Sequence, residues 1–169
     1  MKVLERNHIS PNWLTCYVGF KKKWLDENDV MEFAFKHWRD EELQNSIVKL
    51  EITKSDSPEE FLKTLEEVVI HVYGKKISEE DPAWENQLRL WQLGFLMDIQ
   101  ANPGLSIKDK NSKVAELWSD LGYPKDWEKF IYYMPQSNTI NDTKAGDEWT
   151  YKRLGEFIEM EKKILLEDR

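Results

Sequence analysis

Cysteine is nearly absent from this 169-residue sequence, and glycine and proline are also scarce, with one, seven and six residues respectively. A lone Cys16 excludes an intramolecular disulfide and fits a reducing compartment. No stretch approaches the roughly 18 apolar residues of a membrane span. The opening residues 1–6 also lack the apolar run of a signal peptide. We therefore expect a cytoplasmic protein that makes no contact with a membrane.

Positive charge is in short supply, because 24 lysines and arginines stand against 32 aspartates and glutamates, for a net charge of −8. Most of this excess lies between Asp26 and Glu60, called the acidic stretch below, where eleven carboxylates outnumber four bases and give a local charge of −7. A polarised acidic surface attracts a basic partner and repels nucleic acid. The same charges also fit a solvated helix surface that keeps the protein soluble.

Disorder is excluded for the chain as a whole, since 40% of the residues are apolar and 12% are aromatic. The length predicts one domain, 1–169, that can bury a sizeable core. The eight tryptophans supply large areas for burial. Residues 137–146 are polar and have no hydrophobic period, so we expect a mobile loop there.

Proline and glycine mark the ends of the predicted helices. Asp26 and Asp29 have the spacing of a capping box, and Gly74 and Gly122 stand where a glycine ends a helix. Elsewhere a residue that caps a helix stands directly before a proline, which suits the first helical position. These pairs are Ser10-Pro11, Ser57-Pro58, Asp81-Pro82 and, with a poorer cap, Tyr123-Pro124.

Apolar residues between these signals recur with a helical period. Residues 82–101 are the most apolar segment and predict a central helix that buries Leu88, Trp91 and Phe95. Val48–Thr53 alternates and is either a short strand or the end of a helix. The sequence thus predicts an all-α fold of packed helical hairpins with at most a minor strand element. Further helices are predicted over Ser106–Leu121, Pro124–Tyr133 and Asp147–Leu166, and Val30, Phe33, Ala34, His37 and Trp38 form another apolar stripe.

The histidines and the cysteine do not form a recognisable catalytic or metal-binding pattern. His37 and His71 lack the Glu-x-x-His spacing of a di-iron bundle, and Cys16 lies among apolar neighbours. No phosphate-binding glycine loop and no hydrolase or metalloprotease motif is present. We therefore expect a protein that is not an enzyme and takes no cofactor, metal ion or small-molecule substrate. A hydrolase that uses paired carboxylates such as Glu66-Glu67 is the remaining enzymatic alternative.

Two sets of residues are candidates for binding a macromolecule. Lys21-Lys22-Lys23 beside Trp24 could follow a nucleic-acid backbone, but three lysines also suit the last turn of a helix, and we expect no direct binding to nucleic acid. Exposed acids and aromatics are typical of protein interfaces. The predicted partner-binding residues are Asp26, Glu27, Asp40, Glu41, Glu42, Glu59, Glu60, Trp127, Tyr133 and Trp149.

Two segments resemble the bacterial family known as domain of unknown function 2247. Residues 10–19 (SPNWLTCYVG), followed by Lys23-Trp24-Leu25 and Asp29–Ala34 (DVMEFA), are similar to its opening pattern of a Trp-Thr helix, a Trp-Leu turn and an Asp-Val helix. Residues 121–127 (LGYPKDW), which lead to Tyr133-Met134-Pro135, are similar to its Tyr-Pro helix start and Met-Pro end. Together these segments cover about a quarter of the chain.

This resemblance implies a function, because such proteins are found as immunity proteins of bacterial toxin systems, including contact-dependent growth inhibition. An immunity protein binds one cognate toxin domain and blocks its active site or substrate surface. The implied partner is a basic toxin domain, commonly a nuclease. No functional residue can be carried over from the family. The alternative is a helical adaptor or regulator that binds another protein.

Overall fold

Helices form the regular structure of the chain. A computed structural model describes residues 1–39, 41–54, 57–131 and 143–167, and every regular element in these ranges is helical. This confirms the predicted all-α fold, and Val48–Thr53 proves to be the end of a helix. The α-helices in these ranges are α1 (Lys2–Arg6), α2 (Trp13–Lys21), α3 (Glu27–Lys36), α4 (Gln44–Thr53), α5 (Pro58–Tyr73), α6 (Pro82–Ala101), α7 (Ile107–Asp120) and α8 (Thr143–Lys162). A 3-10 helix, Lys125–Phe130, lies between α7 and α8, and a π-helical turn, Lys163–Glu167, follows α8.

The chain divides into two compact units, Met1–Gln92 and Leu93–Arg169. In the first unit α2 packs against α3 and α5, and α4 packs against the same two helices. In the second unit α8 packs against α7 and against the 3-10 helix. None of the helices in the described ranges combines the length and the apolar character needed to cross a membrane.

The core of the first unit is built around Trp91 of α6. Its side chain is buried, and its Nε1 donates a hydrogen bond to the Thr15 carbonyl oxygen of α2 at 3.0 Å. Gly19 permits this contact, since a Cβ at that position would lie 2.6 Å from Trp91 Cζ2 and 2.9 Å from Leu25 Cδ1. A glycine in the middle of α2 therefore lets an indole approach the helix backbone closely.

The predicted inner face of α6 is only partly correct. Trp91 is buried as expected, but Leu88 and Phe95 are only half-buried. Gln87 takes up a core position instead, because the Thr15 hydroxyl donates a hydrogen bond to the buried Gln87 Oε1 at 2.6 Å. The buried face of α6 therefore includes Gln87 in place of the neighbouring Leu88. Apolar spacing alone does not predict this, because the hydrogen-bond partner of Gln87 lies on another helix.

Most predicted helix ends are confirmed. Asp26 accepts a hydrogen bond from the Asp29 N–H at 2.9 Å, and the Asp29 carboxylate accepts one from the Asp26 N–H at 3.2 Å. Ser57 caps α5, with Pro58 in its first position. Gly74 and Gly122 adopt φ values of 69° and 77° after α5 and α7, a conformation that favours glycine.

Three predicted helix starts require correction. The cap of α2 is Asn12 rather than Ser10, because Asn12 and Thr15 form a capping box and the helix begins at Trp13. Tyr123-Pro124 leads into a 3-10 helix rather than an α-helix, and no side chain caps it. The predicted loop at residues 137–146 lies outside the described residues up to 142, and the prediction is wrong for residues 143–146, because α8 begins at Thr143 rather than at the predicted Asp147.

Candidate protein-binding surface

The acidic stretch lies entirely in the first unit, where it forms α3, α4 and the first turn of α5. Asp26 and Glu27 stand at the start of α3, and Glu59 and Glu60 stand in the first turn of α5. Glu27 is half-buried, and the other three are exposed. Negative side chains near a helix N-terminus interact favourably with the helix dipole. These four residues therefore stabilise helices in addition to any role in binding.

Glu41 and Glu42 occupy the turn between α3 and α4 and are exposed. The neighbouring Leu43 is buried, which fixes the turn against the unit and leaves the two carboxylates outside. Asp40, predicted as the third member of this cluster, lies outside the described residues. The turn therefore presents two exposed carboxylates, those of Glu41 and Glu42.

Ion pairs neutralise only part of the acidic stretch. Lys36 pairs with Glu5 at 2.7 Å and with Glu32 at 3.5 Å, and Lys49 pairs with Glu67 of α5. The hydrogen bond to Glu5 raises the pKa of Lys36 above its ordinary value. Two of the four bases thus already have acidic partners. Seven carboxylates form no ion pair with another described residue: Asp26, Glu27, Asp29, Glu41, Glu51, Glu59 and Glu60.

Large apolar side chains are exposed within the same stretch, and the sequence prediction missed them. Phe35 and Trp38 are 54% and 42% exposed, and their ring centroids are 6.4 Å apart. Val48 and Ile52 are exposed one turn apart on α4. The available signal was the run of apolar residues at the end of a short helix surrounded by charges. Periodicity placed Trp38, but not Phe35, on the apolar stripe with Phe33.

The assignment of His37 and Trp38 to the buried stripe of α3 is therefore wrong. Helix α3 ends at Lys36, and His37 leaves the helical path with φ −102° and ψ 11°. Beyond that point the helical period no longer determines which side chains face inward. His37 Nδ1 lies 3.0 Å from the Phe33 carbonyl oxygen, and both His37 and Trp38 are exposed.

The predicted aromatic anchors in the second unit do not form an exposed group. Trp127 has no exposed surface and packs with Phe130 and Phe157, at centroid distances of 5.7 and 6.5 Å. Residues three apart eclipse in a 3-10 helix, so Trp127 and Phe130 share the face that packs on α8. Trp149 is half-buried beneath the Arg153 guanidinium, 5.5 Å from its ring. Tyr133 lies outside the described residues.

The lysine cluster proposed as a nucleic-acid contact has partners within the first unit. Lys21 and Lys22 pair with Glu79 at 3.1 and 3.2 Å, and Lys21 Nζ lies 5.0 Å from the ring centroid of Trp84. Hydrogen bonds from the two lysines hold the pKa of Glu79 below its ordinary value. Lys23 is exposed and forms no ion pair with another described residue.

The remaining titratable groups do not converge. Cys16 is fully buried, and burial raises the pKa of its thiol far above the ordinary value. Tyr17 donates a hydrogen bond to Glu66 at 2.8 Å, and burial followed by this bond raises the pKa of Tyr17. In the described ranges, no three His, Cys, Asp or Glu side chains are grouped so that they could hold a metal ion.

The fold and surface define an acidic, helical protein in which exposed carboxylates and four exposed large apolar side chains (Phe35, Trp38, Val48 and Ile52) occur together in the acidic stretch. The family model described as "Uncharacterized protein conserved in bacteria (DUF2247)" matches residues 1–162, and the chain belongs to this family. The match extends the two short resembling segments to nearly the whole sequence. No curated protein and no solved structure matched the chain.

Proposed function

We propose that this protein is a cytoplasmic immunity protein, which binds a cognate bacterial toxin domain and neutralises it without catalysing a reaction. The observation that carries the proposal is the group of carboxylates in the acidic stretch that form no ion pair with another described residue. Their charge is available to a partner, and the resemblance noted above supplies the toxin setting. The proposed partner is a basic domain, most simply a nuclease.

Neutralisation by occlusion follows from electrostatics. A nuclease needs a positive surface to hold phosphates, and an acidic protein competes for that surface while it repels the nucleic acid itself. Exposed acids accelerate the encounter, whereas desolvated contacts determine how long the complex lasts. Binding alone is therefore sufficient for protection, and the proposal assigns no catalytic residue.

The direct test is binding to the C-terminal domain of the protein encoded immediately upstream, which we expect to be a large exported protein with a variable C-terminal domain. Co-expression should yield a stable complex on co-purification. Absence of that neighbour, or a C-terminal domain that is not retained by the chain, would overturn the immunity proposal and favour an adaptor with another partner.

The surface is tested by charge reversal in a matched pair of variants. Glu41→Lys/Glu42→Lys alters the acidic turn, and Glu116→Lys/Asp120→Lys makes the same charge change on exposed positions of α7. We expect the first variant to slow association about tenfold at low salt, with a smaller effect at high salt, because the screening length shortens as salt increases. An equal effect of the two variants would exclude the acidic turn as the binding surface.

A further inference from the structure

We infer that Phe35 and Trp38, called the aromatic pair below, are the apolar anchors that dock the acidic stretch onto a basic protein surface. This inference rests on the proposed function and identifies which residues hold the toxin domain. The two rings lie side by side at the end of α3, and about half of each side chain is exposed. Neither residue was among the predicted partner-binding residues.

The exposure of the aromatic pair contrasts with other aromatics of the first unit. Trp13, Phe33 and Phe61 are buried, so this unit has a core that encloses large rings. Covering the exposed rings on binding removes their apolar area from water and stabilises a complex. Tryptophan is also the residue type most enriched among the side chains that dominate interface energies.

The charges around the aromatic pair specify a cationic occupant. Glu41 and Glu42 follow Trp38 within four residues, whereas Glu32, one helical turn before Phe35, already pairs with Lys36. Arg39 offsets one of these charges. A lysine or arginine of a partner can stack on the Trp38 indole while a neighbouring carboxylate accepts its hydrogen bonds.

The first unit already contains this arrangement as an internal contact. Lys21 Nζ lies 5.0 Å from the ring centroid of Trp84 and 3.1 Å from the Glu79 carboxylate. One cation is thus held between an indole and a glutamate. Trp38 and Glu41, which forms no ion pair with another described residue, offer an indole and a carboxylate on the surface to a cation of a partner protein.

A second copy of this chain is a less suitable partner for the aromatic pair than a basic protein. Each copy carries a net charge of −8, and symmetric packing through the aromatic pair would bring two acidic stretches together. An anionic lipid surface would be repelled for the same reason. Charge complementarity therefore favours a positively charged protein domain.

The test measures the affinity of the full chain for the purified C-terminal domain encoded upstream. Trp38→Ala and Phe35→Ala should each weaken binding, and Trp38→Ala should do so by at least about 30-fold, as expected for a dominant interface residue. Val72→Ser is the matched control, because Val72 is also 42% exposed in the first unit but lies outside the acidic stretch. Circular dichroism and thermal unfolding would establish that all three variants remain folded.

Each outcome has a separate meaning. If the wild-type chain does not bind the domain, the immunity proposal fails and this inference fails with it. If the wild-type chain binds and the Phe35 and Trp38 variants bind equally well, only the aromatic pair is excluded and the immunity proposal stands. If Trp38→Ala instead converts a dimer of the free protein into a monomer without weakening the complex, the pair serves self-association and the inference is overturned.

Discussion

Trp91 and Trp38 are tryptophans of the same unit, but one lies in the core and the other on the surface. Trp91 is buried and donates a hydrogen bond to a backbone carbonyl, whereas Trp38 is 42% exposed. Trp91→Ala should lower the free energy of unfolding by about 3–5 kcal/mol, because it leaves a cavity and removes the hydrogen bond to the Thr15 carbonyl. Chemical denaturation measures this loss.

Trp38→Ala is the control for that measurement, and it should change the free energy of unfolding by less than about 1 kcal/mol because the side chain is a surface group. Similar losses for the two variants would show that the assignment of Trp91 to the core and Trp38 to the surface is wrong.

Gly19 gives a second prediction at the residue scale. Alanine has the higher helix propensity by about 1 kcal/mol, yet Gly19→Ala should destabilise the protein by about 1–3 kcal/mol because its Cβ would collide with Trp91 and Leu25. Gly146→Ala is the matched control, since no atom of the described chain lies within 4 Å of a Cβ there. Thermal unfolding should therefore move in opposite directions for the two variants, and a stabilised Gly19→Ala protein would contradict the close approach.

Burial was predictable at some of these positions and not at others. The burial of Trp91 could be predicted from the apolar period of α6. Gln87, in contrast, is buried because Thr15 of another helix supplies a hydrogen bond. Trp127 was predicted as a partner-binding residue because it flanks a polar segment, but the 3-10 helix turns it into the core. Such errors arise where a contact between elements, rather than the local sequence, decides which side is buried.

Helix α2 is joined to α5 by the hydrogen bond from Tyr17 to Glu66, and this bond makes the contact sensitive to pH. Burial would raise the pKa of Glu66, but hydrogen bonds from Tyr17 and Lys76 outweigh it and leave the pKa below its ordinary value of 4.5. A lowered pKa in the folded state gives stability that is present above the unfolded pKa and lost as the pH falls through the folded pKa.

Tyr17→Phe should therefore lower the free energy of unfolding at neutral pH by about 1–2 kcal/mol, as a hydrogen bond to a charged group is removed. The difference from the wild type should shrink as the pH falls below 4.5 and Glu66 gains a proton. Tyr151→Phe, which alters a half-buried tyrosine of α8, is the control. Urea unfolding from neutral to acidic pH measures the difference, and parallel curves for Tyr17→Phe and wild type would contradict the coupling.

The ends of helices could be predicted from the sequence where the capping residue and its partner lie close together in the chain. The Asp26 capping box and the glycines at 74 and 122 are local devices, and each was predicted correctly. The prediction that Ser10 caps α2 was wrong, because Asn12 forms the capping box with Thr15. The exposure of Trp38 could not be predicted from helical periodicity, because the end of α3 at Lys36 removes Trp38 from the helical stripe.

The whole molecule is proposed to act by binding, which gives a prediction for its nucleophilic and basic side chains. Alanine at His8, His37, His71 or Cys16 should leave neutralisation of the toxin domain unchanged once differences in stability are considered. Cys16→Ala removes a buried group and should lower stability without affecting inhibition. Inhibition assays on the folded variants decide this, and loss of protection in a stable His37→Ala or His71→Ala protein would indicate a catalytic or metal-binding role.

The central claim, that this protein neutralises a toxin by occupying it, is tested most directly by titration. The chain would be added in increasing amounts to the purified C-terminal domain encoded upstream while that domain's activity, such as cleavage of nucleic acid, is measured. We predict that activity falls in proportion to the added chain and ends at one chain per toxin domain. Full activity in the presence of excess chain would contradict the claim, whether or not the two proteins form a complex.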